Sequence, residues 1–139
     1  MSEPQIELVP IGRVQSPLKD LAAAPKQGDE GAPDAWLVIA PEWIAGARGI
    51  EVGDDILVFT WLDRASRDAL EVHPRGDSAR PRQGVFSTRS PDRPNPIGLH
   101  RVEVAEIADD RLRVRDLEAL DGTPILDLKP VLSADASQR

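Results

Sequence analysis

The chain has 139 residues, 17 of them Lys or Arg and 24 Asp or Glu, for a formal charge of −7 and a sequence pI near 4.8. Cysteine is absent and histidine is limited to His73 and His100, which excludes disulfides, thiol nucleophiles, iron–sulfur clusters and multi-histidine metal sites. The longest apolar runs, Trp36 to Ala40 and Ile56 to Phe59, fall far short of the ~18 residues of a membrane-spanning helix, and Met-Ser-Glu-Pro-Gln at the start has neither the basic nor the apolar region of a signal peptide. The expectation is a single domain over 1–139 of a cytoplasmic protein, with no membrane and no metal.

In chain order, Ile6 to Val14 reads as a strand with Ile6 and Leu8 alternating, interrupted at Pro10 and resumed at Ile11 and Val14. Ser16 to Pro33, with three prolines and two glycines, reads as a long loop. Ala35 to Ala40 is a short buried strand, and Pro41 to Gly46 a helical turn opened by Pro and closed by Gly. After the turn Gly53-Asp54-Asp55, residues Asp55 to Trp61 form a strongly apolar strand. Leu70 to His73 and Val85 to Thr88 read as brief strands. Val102, Val104 and Ile107 face Leu112, Val114 and Leu117 across Ala108-Asp109-Asp110-Arg111, a hairpin pattern, with Glu106 breaking the period of two and predicting a bulge there. Short strands, few helices and 13 prolines, about 9% of the chain, favour an all-β barrel or sandwich with short helical turns and long Pro-rich loops. A Rossmann fold has no support, since no G-x-G-x-x-G and no helical period between strands is present.

Charge is uneven. Residues 64 to 101 carry eight arginines against four acids, a net +4 in a chain whose remainder is −11, so an anionic ligand should be sought there. Within this island, residues 84 to 101 read Gly-Val-Phe-Ser-Thr-Arg-Ser-Pro-Asp-Arg-Pro-Asn-Pro-Ile-Gly-Leu-His-Arg. Pro91, Pro94 and Pro96 restrict the backbone and would hold Arg89, Arg93 and Asn95 at little entropic cost on binding. Two guanidinium forks and an amide suit a carboxylate, a phosphate or a base edge; a rigid loop with solvated arginines is the plain alternative.

The segment Gly84 to Leu99 resembles the signature of the TrmO-like (TsaA-like) methyltransferases. Pro10-Ile11-Gly12-Arg13-Val14-Gln15-Ser16-Pro17 with Pro25-Lys26-Gln27, His73-Pro74-Arg75-Gly76-Asp77, and Leu120-Asp121-Gly122-Thr123-Pro124-Ile125-Leu126-Asp127-Leu128-Lys129-Pro130 resemble further blocks of that family in the same order. The resemblance spans about residues 10 to 130. It implies a small antiparallel β-barrel that binds S-adenosylmethionine, assembles as a homodimer and N6-methylates a threonylcarbamoylated adenosine next to the tRNA anticodon. Carried over by resemblance, the cofactor contacts are Pro25, Lys26, Gln27, Asp63, Arg64, Arg89, Leu99, Asp121, Gly122, Thr123 and Pro124. Arg89 would pair with the cofactor carboxylate, and Asp63 or Asp121 with its ammonium. No catalytic residue is assigned, because methyl transfer is expected to depend mostly on positioning.

Asp63 stands where many members of that family carry a histidine, and Val131 where many carry an aromatic. The acceptor therefore stays open between tRNA, another RNA and a small molecule, with a non-catalytic nucleotide- or RNA-binding barrel as a third reading. For an RNA acceptor, Arg75, Arg80 and Arg82, with Arg93 and Asn95, are the candidate contacts. His73 could serve in acid–base work, His100 reads as a strand-edge hydrogen-bonding residue, and Trp36, Trp43 and Trp61 read as core, with Trp61 worth noting for its place beside Asp63 and Arg64.

Overall fold

In the computed structural model, which describes residues 3–19 and 31–132, alternation of apolar and polar residues builds six strands of one antiparallel sheet. They are β1 (Gly12–Gln15), β2 (Ala35–Ile39), β3 (Asp55–Trp61), β6 (Ile97–Ala108), β7 (Arg111–Val114) and β8 (Pro124–Pro130). The order β1-β2-β7-β6-β3-β8 closes on itself, because β1 also pairs with β8 through Gly12–Ile125 and Arg13–Pro124. Two short strands, β4 (Glu71–Val72) and β5 (Gln83–Gly84), form a separate ribbon between β3 and β6. The all-β barrel expectation is met by this closed sheet.

Inward positions follow the strand period of two: Leu37 and Ile39 on β2, Ile56 and Val58 on β3, Val102 and Val104 on β6, Leu112 and Val114 on β7, all buried. Burying each such side chain contributes about 1.5–3 kcal/mol. The hairpin of β6 and β7 turns at Asp109-Asp110, and its register shifts between Val104 and Glu106, so the bulge falls at Ala105, one residue from where the broken period puts it.

Several elements differ from the sequence reading. Regular structure near the N-terminus begins only at Gly12; Ile6 is 86% exposed and Leu8 52%, since alternation without a partner strand leaves both faces in water. Val85 to Thr88 is a 3₁₀ turn over Val85–Ser87 rather than a strand. Leu70 to His73 shortens to β4. The helical turn after β2 is a 3₁₀ helix over Pro41–Ala47. Of the three tryptophans, Trp36 and Trp61 are half-buried and Trp43 is exposed, because the strand alternation that buries Leu37 and Thr60 turns Trp36 and Trp61 outward. Most of the reading Ser16 to Pro33 lies outside the described residues.

Strict alternation of direction sorts the connections to two ends. At one, the loop end, β1, β3 and β7 finish and β2, β6 and β8 begin, so it carries the connections 16–34, 62–96 and 115–123. The other, the turn end, carries the connection 40–54 and the Asp109-Asp110 turn. No helix among the described residues is long and apolar enough to cross a membrane.

Candidate cofactor-binding site

The Pro-rich motif is organised from inside by Arg93. Its NH1 donates to the carbonyls of Thr88 (3.1 Å) and Ser90 (2.9 Å), and its NH2 to that of Val85 (3.0 Å). The loop is also tied to the chain just after β3: Ser66 N–H donates to Asp92 Oδ1 (2.9 Å), Arg93 N–H to the Ser66 carbonyl (3.0 Å), and Arg67 to the Pro94 carbonyl (2.7 Å) and to Asn95 Oδ1 (3.2 Å). Prolines restrict single φ angles; it is the guanidinium of Arg93, satisfied by three carbonyls, that folds the loop around itself. Arg89, four residues earlier, is exposed and has no hydrogen-bond or ion-pair partner among the described residues. Phe86, three residues before it in sequence, is 79% exposed, an aromatic face the sequence reading did not single out.

A second cluster forms where the connection 115–123 meets the chain after β1. Asp121 accepts from the Ser16 amide at 2.9 Å and from Lys19 Nζ at 2.7 Å, and Arg64 NH1 donates to the Lys19 carbonyl at 3.1 Å. The Lys19 hydrogen bond, then the Ser16 amide, hold the Asp121 carboxyl below its ordinary value of 3.8, with a small contribution from the Arg64 charge. Gly122 adopts φ 83, the left-handed region that favours glycine. Its N–H reaches the Val14 carbonyl (2.7 Å) and its carbonyl accepts from Arg13 (3.0 Å). Thr123 is buried, its hydroxyl donating to the Leu120 carbonyl, and Pro124, also buried, opens β8. Asp63 is exposed at the end of β3 with no side-chain partner among the described residues.

Between β3, β6 and the connection after β7 lies an open groove of about 570 Å³. Leu57 and Leu99 give it apolar surface and Arg89 stands among its lining residues. Two ion pairs neutralise part of it, Arg101 with Asp55 at 3.2 Å and Arg115 with Glu103 at 3.0 Å. Glu118 also lines it, and its Oε1 accepts from His100 Nδ1. His100 is not at a strand edge: it points into the barrel from β6, buried, with Nε2 2.8 Å from Thr60 Oγ1 on β3. Gly98, two residues before it on the same inward face, leaves room for that pair; a Cβ at Gly98 would fall on Thr60 Oγ1 and 2.8 Å from His100 Nε2.

All the carried-over positions among the described residues therefore sit at the loop end or, for Leu99, just inside β6, but in two groups. Arg89 and Leu99 line the groove, whereas Arg64 and Asp121 are joined through Lys19. Pro25, Lys26 and Gln27 lie outside the described residues. The candidate RNA contacts are mixed. Arg80 pairs with Asp77 at 3.7 Å, Arg82 donates to the Glu71 carbonyl at 3.3 Å, and Arg75 takes a left-handed backbone at φ 55. Arg93 and Asn95 are engaged within the loop, and His73 Nδ1 bonds the Arg80 carbonyl at 2.7 Å. Sequence reasoning missed Lys19, Glu118 and Thr60. One signal was available: His100 is a polar residue in the inward row Gly98, His100, Val102, Val104, and a polar group in such a row demands a buried partner. No cluster of metal-ligating side chains occurs among the described residues.

The donor set suits an amino-acid-bearing nucleoside. The Arg89 guanidinium, without a partner among the described residues, can take a carboxylate, the exposed face of Leu99, 40% accessible, can cover apolar atoms, and the Gly122 turn brings main chain close to the surface. The closed antiparallel barrel is shared with a solved structure: a crystal structure of TrmO from Pseudomonas aeruginosa superposes with a TM-score of 0.73 at 28% identity over 96% of this chain. The match covers 62% of the length of that protein, so this chain spans about three fifths of it. Residues 13–136 match the tRNA-methyltransferase O N-terminal domain family, and the chain belongs to that family. Smaller relatives match nearly end to end. A probable S-adenosyl-L-methionine-binding protein of Methanothermobacter thermautotrophicus is 45% identical over 130 residues, covering 94% of this chain and 93% of its own. An S-adenosyl-L-methionine-binding protein of Archaeoglobus fulgidus is 48% identical over 122 residues, covering 88% and 86%.

Proposed function

We propose that this protein is an S-adenosylmethionine-dependent methyltransferase that methylates N6 of a threonylcarbamoylated adenosine beside the tRNA anticodon, acting as a cytoplasmic homodimer. The cofactor supplies the methyl group from its sulfonium. The protein's own part is to hold the carboxylate through Arg89, to cover the apolar atoms with Leu99, to bring the main chain of Asp121 to Pro124 and the pair Asp63 and Arg64 to the remaining polar groups, and to exclude water. Pro25, Lys26 and Gln27 complete the set by resemblance. Holding donor and acceptor in line is worth more here than any group that changes its bonding.

One observation carries the reading: Arg89, presented by a loop that Arg93 organises, has no partner among the described residues and lines the same groove as Leu99. An arginine carried on an ordered loop and left without a partner among the described residues is available to an anion. Calorimetric titration with S-adenosylhomocysteine tests the cofactor; absence of binding would leave a non-catalytic barrel. Mass spectrometry of tRNA nucleosides from a deletion strain tests the acceptor. Arg75, Arg80, Arg82 and the exposed Phe86 offer phosphate and stacking contacts on the ribbon side of the loop. Replacing the three arginines by Ser should flatten the log–log salt dependence of tRNA binding by roughly two units. Unchanged slope with intact cofactor binding would favour a small-molecule acceptor, as the engagement of Arg80 and Arg82 within the ribbon would permit.

A further inference from the structure

The charges along the groove are unequally matched. Arg101 is neutralised by Asp55 and Arg115 by Glu103. Among the described residues, Arg89 has no partner and Glu118 is bonded by His100 alone. The His100 side chain is 5% exposed and that of Glu118 18%. With a carboxylate at Nδ1, the tautomer that carries its proton there leaves Nε2 to accept from the Thr60 hydroxyl at 2.8 Å. Oε1 of Glu118 is thereby fixed, and Oε2 has no partner among the described residues. A half-buried carboxylate with an open acceptor is poorly solvated and gains from a cation that completes it. Asp116, also on the groove, is exposed and held by no side-chain bond among the described residues.

Arg89, presented by the loop that Arg93 organises, and Glu118, held by His100, border one groove with Leu57 and Leu99 as apolar surface, and together match an α-amino acid zwitterion on a hydrophobic stem. Of the two sequence candidates for the ammonium, Asp121 would have to release Lys19 and the Ser16 amide to serve, and Asp63 is not among the residues that line the groove. We propose that Glu118, positioned by His100 and Thr60, binds the α-ammonium of the amino-acid end of the cofactor while Arg89 takes the α-carboxylate. This rests on the S-adenosylmethionine reading above. Glu118 is the ligand-binding group; His100 and Thr60 act through it.

Two ligands separate this role from a structural one. S-adenosylhomocysteine carries the amino-acid end, and 5′-methylthioadenosine has the same nucleoside thioether without it. Glu118→Gln keeps an acceptor for His100 Nδ1–H and removes the charge. Calorimetry should show S-adenosylhomocysteine binding about 10- to 100-fold weaker, the range for a hydrogen bond to a charged group, with 5′-methylthioadenosine unchanged to within about twofold. His100→Gln should weaken S-adenosylhomocysteine binding selectively in the same direction by a smaller factor. If Glu118→Gln fails to fold, Glu118→Asp, still anionic but shorter by one methylene, should show the same ligand-selective loss. Equal loss for both ligands, or no loss for either, overturns the proposal, as does wild-type protein that binds the two ligands equally. Wild-type protein that binds neither overturns the cofactor reading itself.

Discussion

The two ends of the barrel are built from different kinds of bond. At the turn end, the connection 40–54 is folded largely by bonds within itself, Trp43 to Ala40, Arg48 to Ala45, Ile50 to Ala47 and Asp54 to Glu51, each spanning three residues, with Glu51 N–H also reaching Asp54 Oδ2, and it is tied to the barrel through main-chain bonds to Ile11 and Val104. At the loop end, side-chain hydrogen bonds join segments far apart in sequence: Asp121 to Ser16 and Lys19, Arg64 to Lys19, Arg67 to Pro94, His100 to Glu118. A local turn is specified by its own residues and tolerates change elsewhere. A junction of three long connections exists only when the whole barrel is closed, and it can hold side chains in pairs, or keep one unpaired, as no local turn can. The contrast within the loop end is as informative. Arg89 and Arg93 stand in the same motif, yet among the described residues Arg93 has three carbonyls and Arg89 none. The first is available for a ligand and the second maintains the shape that presents it.

The comparison is open to experiment at both ends. Arg89→Ala should leave the fold intact and weaken S-adenosylhomocysteine binding by about 1.5–3 kcal/mol, the range for hydrogen bonds to charged groups; calorimetry alongside denaturant unfolding separates the two effects. Equal affinities would remove Arg89 from the site. Gly98→Ala acts on stability, since its Cβ would displace the buried Thr60–His100 pair. A loss of about 1–3 kcal/mol, as for overpacked cores, should appear as a lower denaturant midpoint. A midpoint equal to wild type would mean that the interior yields at no cost.

Asp121→Asn probes the long-range junction through pH. The folded carboxyl lies below its ordinary 3.8 because of Lys19 and the Ser16 amide. Its contribution to stability is thus fully present above the unfolded value, about 3.9, and is lost as pH falls through the lower folded value. Wild type should exceed the Asn variant in unfolding free energy at pH 7, and the gap should narrow only below about pH 4. A gap constant down to strong acid would show that the charge of Asp121 does not hold the junction. At the turn end, Asp109→Ala should change stability by no more than about 0.5 kcal/mol, because the two-residue turn carries no long-range bond from that side chain. A larger loss would erase the distinction between the ends.

What the sequence determined by itself was the part of the fold governed by short-range pattern. β3 runs from Asp55 to Trp61 as the apolar run indicates, β2 and the β6–β7 hairpin follow their alternation, and the bulge falls one residue from the break in period. The motif around Arg89 was legible because its composition is unusual, and it lies within residues 13–136, which match the family. Tertiary structure decided the rest. Ile6 and Leu8 alternate like a strand but meet no partner, Val85 to Ser87 turns because Val85 and Thr88 supply carbonyls to Arg93, and β8 pairs on both sides although nothing local separates its residues from a loop. Glu118 lies 18 residues from His100 and 29 from Arg89; its meeting with the first, and its share in a groove with the second, depend on β6 and β7 being held side by side. Pattern within a few residues sets which faces are apolar. Which charges face one another follows only from the closure of the sheet, because that is what brings distant segments within hydrogen-bonding range.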